Sequence, residues 1–372
     1  MSDNFVTQRT SGAPVAVSAV LRKSPGNVMR AVAQSRMFEE LGFTPYLYVE
    51  RELVEPFGLQ TGYRLVHSEQ EVLALQPQVL VINNMAVGNP RFARAVRRQG
   101  GKVFYTLHEP FLGVRRCLDE GLKEQPKLIG VHVLNALTCL SVDEVLLPSE
   151  VSFNGYRRYM AWCNRNYREF PLSYSDDCHD VPGEERRYVS YIGTFTGSHA
   201  PKEFLEFIRY AAERDDSIAF EIATRSSIAS LIQGEPFERL RREGRLAVTE
   251  GRSLSEAEIA SAYGRAMAVW GAYRSSTQSG VAISSMQMGA PLIATRTGIA
   301  EQLGDAVRLV SSPTAYNEIL AAAQRIRRDL ARYSAAARRV YEERFDYRNF
   351  LGLAAEIFGN PGRHAAKDKE TD

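Results

Sequence analysis

"YRSSTQSGVAISSMQMGAPLIATRTG", residues 273–298, reads as the end of one strand, a hydroxyl-rich elbow, a short helix and a second strand starting at Pro291. The elbow, Ser275-Ser276-Thr277-Gln278-Ser279-Gly280, carries no charge. Yet it stands where a helix offers free N–H groups and the positive end of its dipole. A diphosphate wants such donors with nothing bulky in the way. Gly280 permits close approach, Ser276, Thr277 and Ser279 offer hydroxyls, and Gln278 offers an amide. There is no lysine, so the loop is not of the Walker type. An ordinary capped helix has the same local chemistry. The place of this elbow, at a strand end in the second half of the chain, favours a binding role.

Working outward, the elbow belongs to a series of strands: "YVSYIGTF" (188–195), "IAFEIATR", "LAVTEG", "MAVWGAYR", "PLIATRTG" and "AVRLVSS". Helices lie between them, including "SEAEIASAYGRA", where Ser255 and Glu258 form a capping box with Leu254 as its staple. An earlier series runs "APVAVSAVL" (13–21), "TPYLYVE", "YRLVHS", "QVLVINN", "KVFYTLHE" and "EVLLPSE" (144–150). Near-continuous apolar strands alternating with helices predict parallel sheets covered on both faces. The expected class is therefore α/β, with two Rossmann-like domains facing each other across a cleft. The first domain covers 1–172 and the second 188–345. The polar, acidic stretch 173–187, with Pro182-Gly183, is the expected linker. Ligands of open parallel sheets sit beyond the carboxyl ends of the strands.

The bulk numbers agree with such a protein. The chain has 372 residues, 44% hydrophobic and 24% charged, enough for two domains with large cores. A net charge of +2 from 46 basic and 44 acidic residues provides no global field to recruit nucleic acid. Cys117, Cys139, Cys163 and Cys178 form no CxxC pair and no zinc-like spacing, which suits a reducing, cytoplasmic compartment. "MSDNFVTQRTSGAP" lacks the apolar centre of a signal peptide, and "LIGVHVLNALTCL" is too short to span a bilayer. The end of the chain, 361–372, reads as a disordered tail.

With these residues in view, the segment 273–298 resembles the donor-site signature of retaining GT-B nucleotide-sugar glycosyltransferases, the glycosyl transferases group 1 family. Met286, Gly289, Pro291, Ile293, Ala294, Thr295, Gly298 and Glu301 match the second half of that signature. Its two glutamates, seven residues apart, fall on Ser276 and Ser284, so both acids are replaced. Serine accepts hydrogen bonds from sugar hydroxyls only without charge assistance and at shorter reach.

The resemblance implies further roles. Lys202, after "YIGTF", would face the donor diphosphate, with Arg225 at the next strand end. A cation there stabilises charge developing on the departing phosphate. Arg252, Ser253 and Leu254 would receive the base. Ser276, Thr277, Gln278, Ser279, Gly280, Val281 and Ser284 would form the donor cradle. In the first half His108 would contact the donor sugar, with Glu109 orienting it, and Gly26 with Asn27 would border the acceptor or the diphosphate. Residues 346–360 resemble the terminal helix that crosses back onto the first, acceptor-binding domain. Asp176-Asp177 and Asp215-Asp216 are not DxD metal sites, and such enzymes bind the diphosphate without an obligatory metal or cofactor.

The function implied is transfer of a sugar from a nucleotide diphosphate to a glycan, lipid-linked or small-molecule acceptor, with retention, as in polysaccharide biosynthesis. Peripheral membrane contact through helices such as 89–100 or 152–167 is compatible with it. Two alternatives remain open: a catalytically weak nucleotide-sugar-binding partner protein, and a GT-B sugar-nucleotide epimerase.

Overall fold

The computed structural model describes residues 13–21, 25–108, 125–176 and 185–361. Glu109, Cys117, Asp177, Cys178, Pro182, Gly183 and the tail from 362 onward, all read above, lie outside the described residues.

Two parallel sheets form the framework. The first joins β1 (Val15–Ala19), β2 (Thr44–Tyr48), β3 (Leu65–Val66), β4 (Val79–Ile82), β5 (Lys102–Thr106), β6 (Glu144–Leu147) and β7 (Tyr167–Glu169). Their order is β3-β2-β1-β4-β5-β6-β7. The second joins β8 (Tyr188–Ile192), β9 (Ala219–Ala223), β10 (Leu246–Thr249), β11 (Ala266–Gly271), β12 (Leu292–Thr295) and β13 (Val307–Val310). Their order is β10-β9-β8-β11-β12-β13. Central strands such as β4, β8 and β11 are buried along their whole length, because helices cover both faces.

Around the first sheet lie α1 (Val28–Glu40), α2 (Glu69–Leu75), α3 (Asn89–Arg98), α4 (Gln125–Cys139) and α5 (Glu150–Tyr159). Around the second lie α6 (Pro201–Ala212), α7 (Phe237–Arg242), α8 (Glu256–Arg265), α9 (Gly280–Gln287), α10 (Tyr316–Arg328) and α11 (Leu330–Arg344). The capping box read from Ser255 and Glu258 is formed at the start of α8. A last helix, α12 (Leu351–Phe358), returns to the first sheet. Its Phe358 ring makes edge contacts with Phe38, Phe104 and Phe170 at centroid distances of 5.2, 5.0 and 5.6 Å.

The start of the expected linker is buried structure. Tyr174 is 3% exposed and pairs with Asp346 as an isolated parallel bridge. Its N–H donates to Phe345 O at 2.9 Å, and Tyr347 N–H donates to its carbonyl at 3.1 Å. Polar composition suggested a solvated segment, but here the main chain is satisfied by the returning segment around Asp346.

In each sheet the strand order reverses once, between β1 and β4 and between β8 and β11. Such points leave a crevice beyond the strand ends, bounded by helices that run in opposite directions from it. The segment leading to α1 leaves one switch point. The segments leading to α6 and α9 leave the other.

Candidate functional site

The elbow follows β11 and is held from several sides. Tyr273 stacks on His199 at 4.3 Å, and Arg274 N–H donates to Ser198 O at 2.8 Å, which ties the elbow to the loop after β8. Gly298, with φ of 56°, lies so close that a Cβ there would sit 2.8 Å from Thr277 O. Only glycine combines that backbone with that approach. Ser279 is the N-cap of α9, its Oγ accepting from Ala282 N–H at 3.3 Å. The remaining first-turn amides are left for other partners. Behind the elbow, a cavity of ≈ 20 Å³ lined by Tyr273, Ser276, Ser279 and Ala282 has room for about one water. Nothing larger than a water fits behind the elbow.

On the cleft side stands the first domain. Thr277 Oγ1 donates to His108 O at 3.0 Å, and Ser149 Oγ donates to Thr277 O at 3.4 Å. The hydroxyl read as a free donor thus joins the two domains instead. His108 Nε2 lies 3.0 Å from Asn83 O, so that nitrogen carries the proton and Nδ1 is left as an acceptor. Burial, and then the charge of Arg30, lower its pKa to about 3. His108 is therefore neutral near pH 7, suited to accepting from a sugar hydroxyl and unsuited to acting as an acid. Asn83 is itself locked by Ser18 and Gln34, to which its Nδ2 donates at 2.8 and 2.7 Å. The ring is oriented by this main-chain carbonyl.

Tyr174 closes the junction from below. A Cβ on Gly280 would sit 2.7 Å from the Tyr174 hydroxyl. The approach to Gly280 is thus already shared with a tyrosine, a correction to the expectation of open space. Arg30, in the first turn of α1, is 1% exposed, and its terminal nitrogens have no hydrogen-bond partner.

The other residues singled out differ in setting. Lys202 in the first turn of α6 and Arg225 just after β9 are exposed beyond the strand ends of the second sheet. Ser276, Gln278 and Val281 are half-buried in or beside the elbow; Gln278 Oε1 is buried without a partner, and Val281 packs 3.6 Å from the Cβ position of Gly193. Ser284 is engaged by the Tyr263 hydroxyl within its own domain. Arg252 is committed to Glu258, with Nη1 2.9 Å from Oε2, and Leu254 packs on the apolar cluster beneath α9. Gly26 is exposed, with nothing within 4 Å of its Cβ position. No group of His, Cys, Asp or Glu able to hold a metal occurs among the described residues. Asp176 pairs with Arg338, while Asp215 and Asp216 pair with Arg327 and Arg245.

No protein-family profile matches the sequence, and no curated protein matches it. Solved structures match over nearly the whole chain. A sucrose-phosphate synthase from Thermosynechococcus elongatus superposes with a TM-score of 0.62 at 15% identity, covering 95% of this chain and 100% of that one. A glycosyltransferase from Rickettsia africae ESF-5 gives 0.62 at 12% identity, covering 93% and 98%. HepE from Anabaena, solved with UDP, gives 0.60 at 11% identity, covering 93% and 99%. At such identities the likeness is one of fold. The chain has the GT-B architecture: two parallel α/β domains whose strand ends meet across a cleft.

Proposed function

We propose that this protein transfers a sugar from a nucleotide diphosphate donor, with the diphosphate against the first turn of α9. One observation carries this reading. The uncharged elbow ends in a capped helix at the switch point of the second sheet, and it is bonded to the strand end of the first sheet through Thr277 and His108. A ligand on the amides of α9 is thereby within reach of both domains. UDP in the HepE structure supports the same use of the fold.

In this reading Lys202 and Arg225 offset charge building on the departing phosphate. His108 Nδ1 accepts from a sugar hydroxyl. Ser276 and Ser284 stand where carboxylates hold the sugar and ribose in the resembling family. The leaving phosphate takes the acceptor proton on the same face, which gives retention. The protein then contributes positioning and phosphate stabilisation, without a metal. The acceptor is a glycan, a lipid-linked sugar or a small molecule, and the site of action is cytoplasmic. Among the described residues no helix is long and apolar enough to cross a membrane. Any peripheral contact is carried best by α4, where Ile129, Val133 and Leu137 are exposed. Liposome flotation tests that.

The decisive measurement is scanning calorimetry with UDP-, GDP-, ADP- and dTDP-sugars, followed by donor consumption with an acceptor pool. One nucleotide should raise the midpoint in proportion to its affinity. No response to any of them would end the sugar-transfer reading. The neutral serines at 276 and 284 favour, as a second reading, a binding protein without turnover. Saturable donor binding with neither transfer nor hydrolysis would select it.

A further inference from the structure

Arg30 is the one fully buried cation among the described residues. Arg186 and Arg245, which are only half-buried, still donate from their guanidinium groups to main-chain carbonyls. Arg30 is 1% exposed, and neither Nη1 nor Nη2 has a hydrogen-bond partner. No ion pair is formed by it among the described residues. A buried cation without an anion is costly, and native structures complete such groups with a partner or a ligand.

Its surroundings indicate where that ligand lies. Tyr174 and His108 are both coupled electrostatically to Arg30. These are the residues that meet the elbow of the second domain. The Tyr174 hydroxyl stands over Gly280, and the His108 carbonyl holds Thr277. Met29, beside Arg30 on α1, packs on the apolar cluster that contains Tyr174, Ala282 and Ile283. A second buried orphan, Gln278 Oε1, lies on the elbow itself. The first turn of α1 therefore belongs to the same junction as the start of α9, where Tyr174 and His108 meet the elbow. No carboxylate among those neighbours competes for the guanidinium.

We propose that Arg30 is a first-domain anion-binding residue, which grips a phosphoryl group of the ligand whose diphosphate rests on α9. This deepens the reading of the previous subsection and rests on it. The clamp has two halves: main-chain amides and the helix dipole from the second domain, and a planar cation from the first. A ligand spanning both would hold the domains closed. Burial lowers the Arg30 pKa to about 9, which leaves the group charged at neutral pH.

The test uses the full chain and compares wild type with Arg30→Gln and Arg30→Met by titration calorimetry and thermal scanning. The probes are UDP, GDP, ADP and dTDP, their monophosphates, and inorganic pyrophosphate. The diphosphate that binds wild type should bind either variant at least about tenfold more weakly, with its monophosphate affected less. Without ligand, Arg30→Met should melt no lower than wild type, since an unpaired buried charge has been removed. Equal diphosphate affinity in wild type and variants overturns the Arg30 assignment and leaves the donor site on α9 standing. If pyrophosphate alone binds wild type and loses that binding in Arg30→Gln, the Arg30 assignment holds and sugar transfer falls. If a nucleoside monophosphate is the probe most weakened, the anion is not the donor diphosphate and the proposal fails. Loss of fold in both variants, or no binding of any probe to wild type, also overturns it.

Discussion

Thr277 Oγ1 donates to the carbonyl oxygen of His108 at 3.0 Å, a bond between residues 169 positions apart that joins the elbow of the second domain to the strand end of the first. Ser152 Oγ also donates to that carbonyl, at 3.0 Å. Thr277→Val should therefore cost only about 1 kcal/mol, because the acceptor keeps one partner. Urea unfolding checks the magnitude. A loss well above that range would mean that Thr277 holds more of the junction than this one bond.

Gly280 and Tyr174 form a coupled pair. A methyl at 280 would meet the tyrosine hydroxyl at 2.7 Å, while the next tyrosine atom, Cζ, lies 4.0 Å away. Gly280→Ala should destabilise by roughly 1–3 kcal/mol through overpacking. Combined with Tyr174→Phe it should recover most of that loss. A double-mutant cycle reads the coupling directly. Additive effects would show that the hydroxyl is not what the methyl strikes.

Lys202 is exposed in the first turn of α6. Lys202→Ala should leave the melting temperature nearly unchanged, as surface substitutions do. If the side chain offsets charge on the departing phosphate, kcat should fall by about a hundredfold. Steady-state kinetics with the donor found by calorimetry decide it; unaltered turnover removes Lys202 from the site.

The His108 pKa is lowered from 6.5 to about 3. The unfolded chain therefore takes up the proton first as the solution is acidified. The contribution of this residue to stability is complete above about pH 6.5 and is lost progressively down to about pH 3. His108→Gln does not titrate. The stability difference between wild type and variant should shrink through that window, by up to about tenfold in the folding constant per pH unit. A difference that stays flat over the window would show that the ring is solvated.

Much of this was legible in the sequence. Continuous apolar runs such as "LVIN" and "MAVWG" report strands buried on both faces, and their alternation with helices yields two parallel sheets. Ser255-Glu258 and Ser279-Gly280 mark helix starts through local chemistry, and both helices begin there. What escaped is non-local. Nothing near Arg30 in "NVMRAVAQ" distinguishes a buried arginine from the many solvated ones. Tyr174 sits in a stretch whose polarity suggested a loose linker, and the residues it packs and pairs with, such as Tyr341 and Asp346, lie far along the chain. The Thr277–His108 bond likewise exists only once two domains have met. Gln278 was picked for its amide, but no local signal foretold that its oxygen would be left buried and unpartnered.

The return of α12 carries a consequence for biosynthesis. Phe358 fills a socket made by Phe38, Phe104 and Phe170, so an early-made lobe is finished by nearly the last described residues. On the ribosome the nascent N-terminal lobe must wait, with that aromatic socket open, until the C-terminal lobe has emerged. Emergence of 351–358, rather than completion of the first sheet, is then the event that fills that socket.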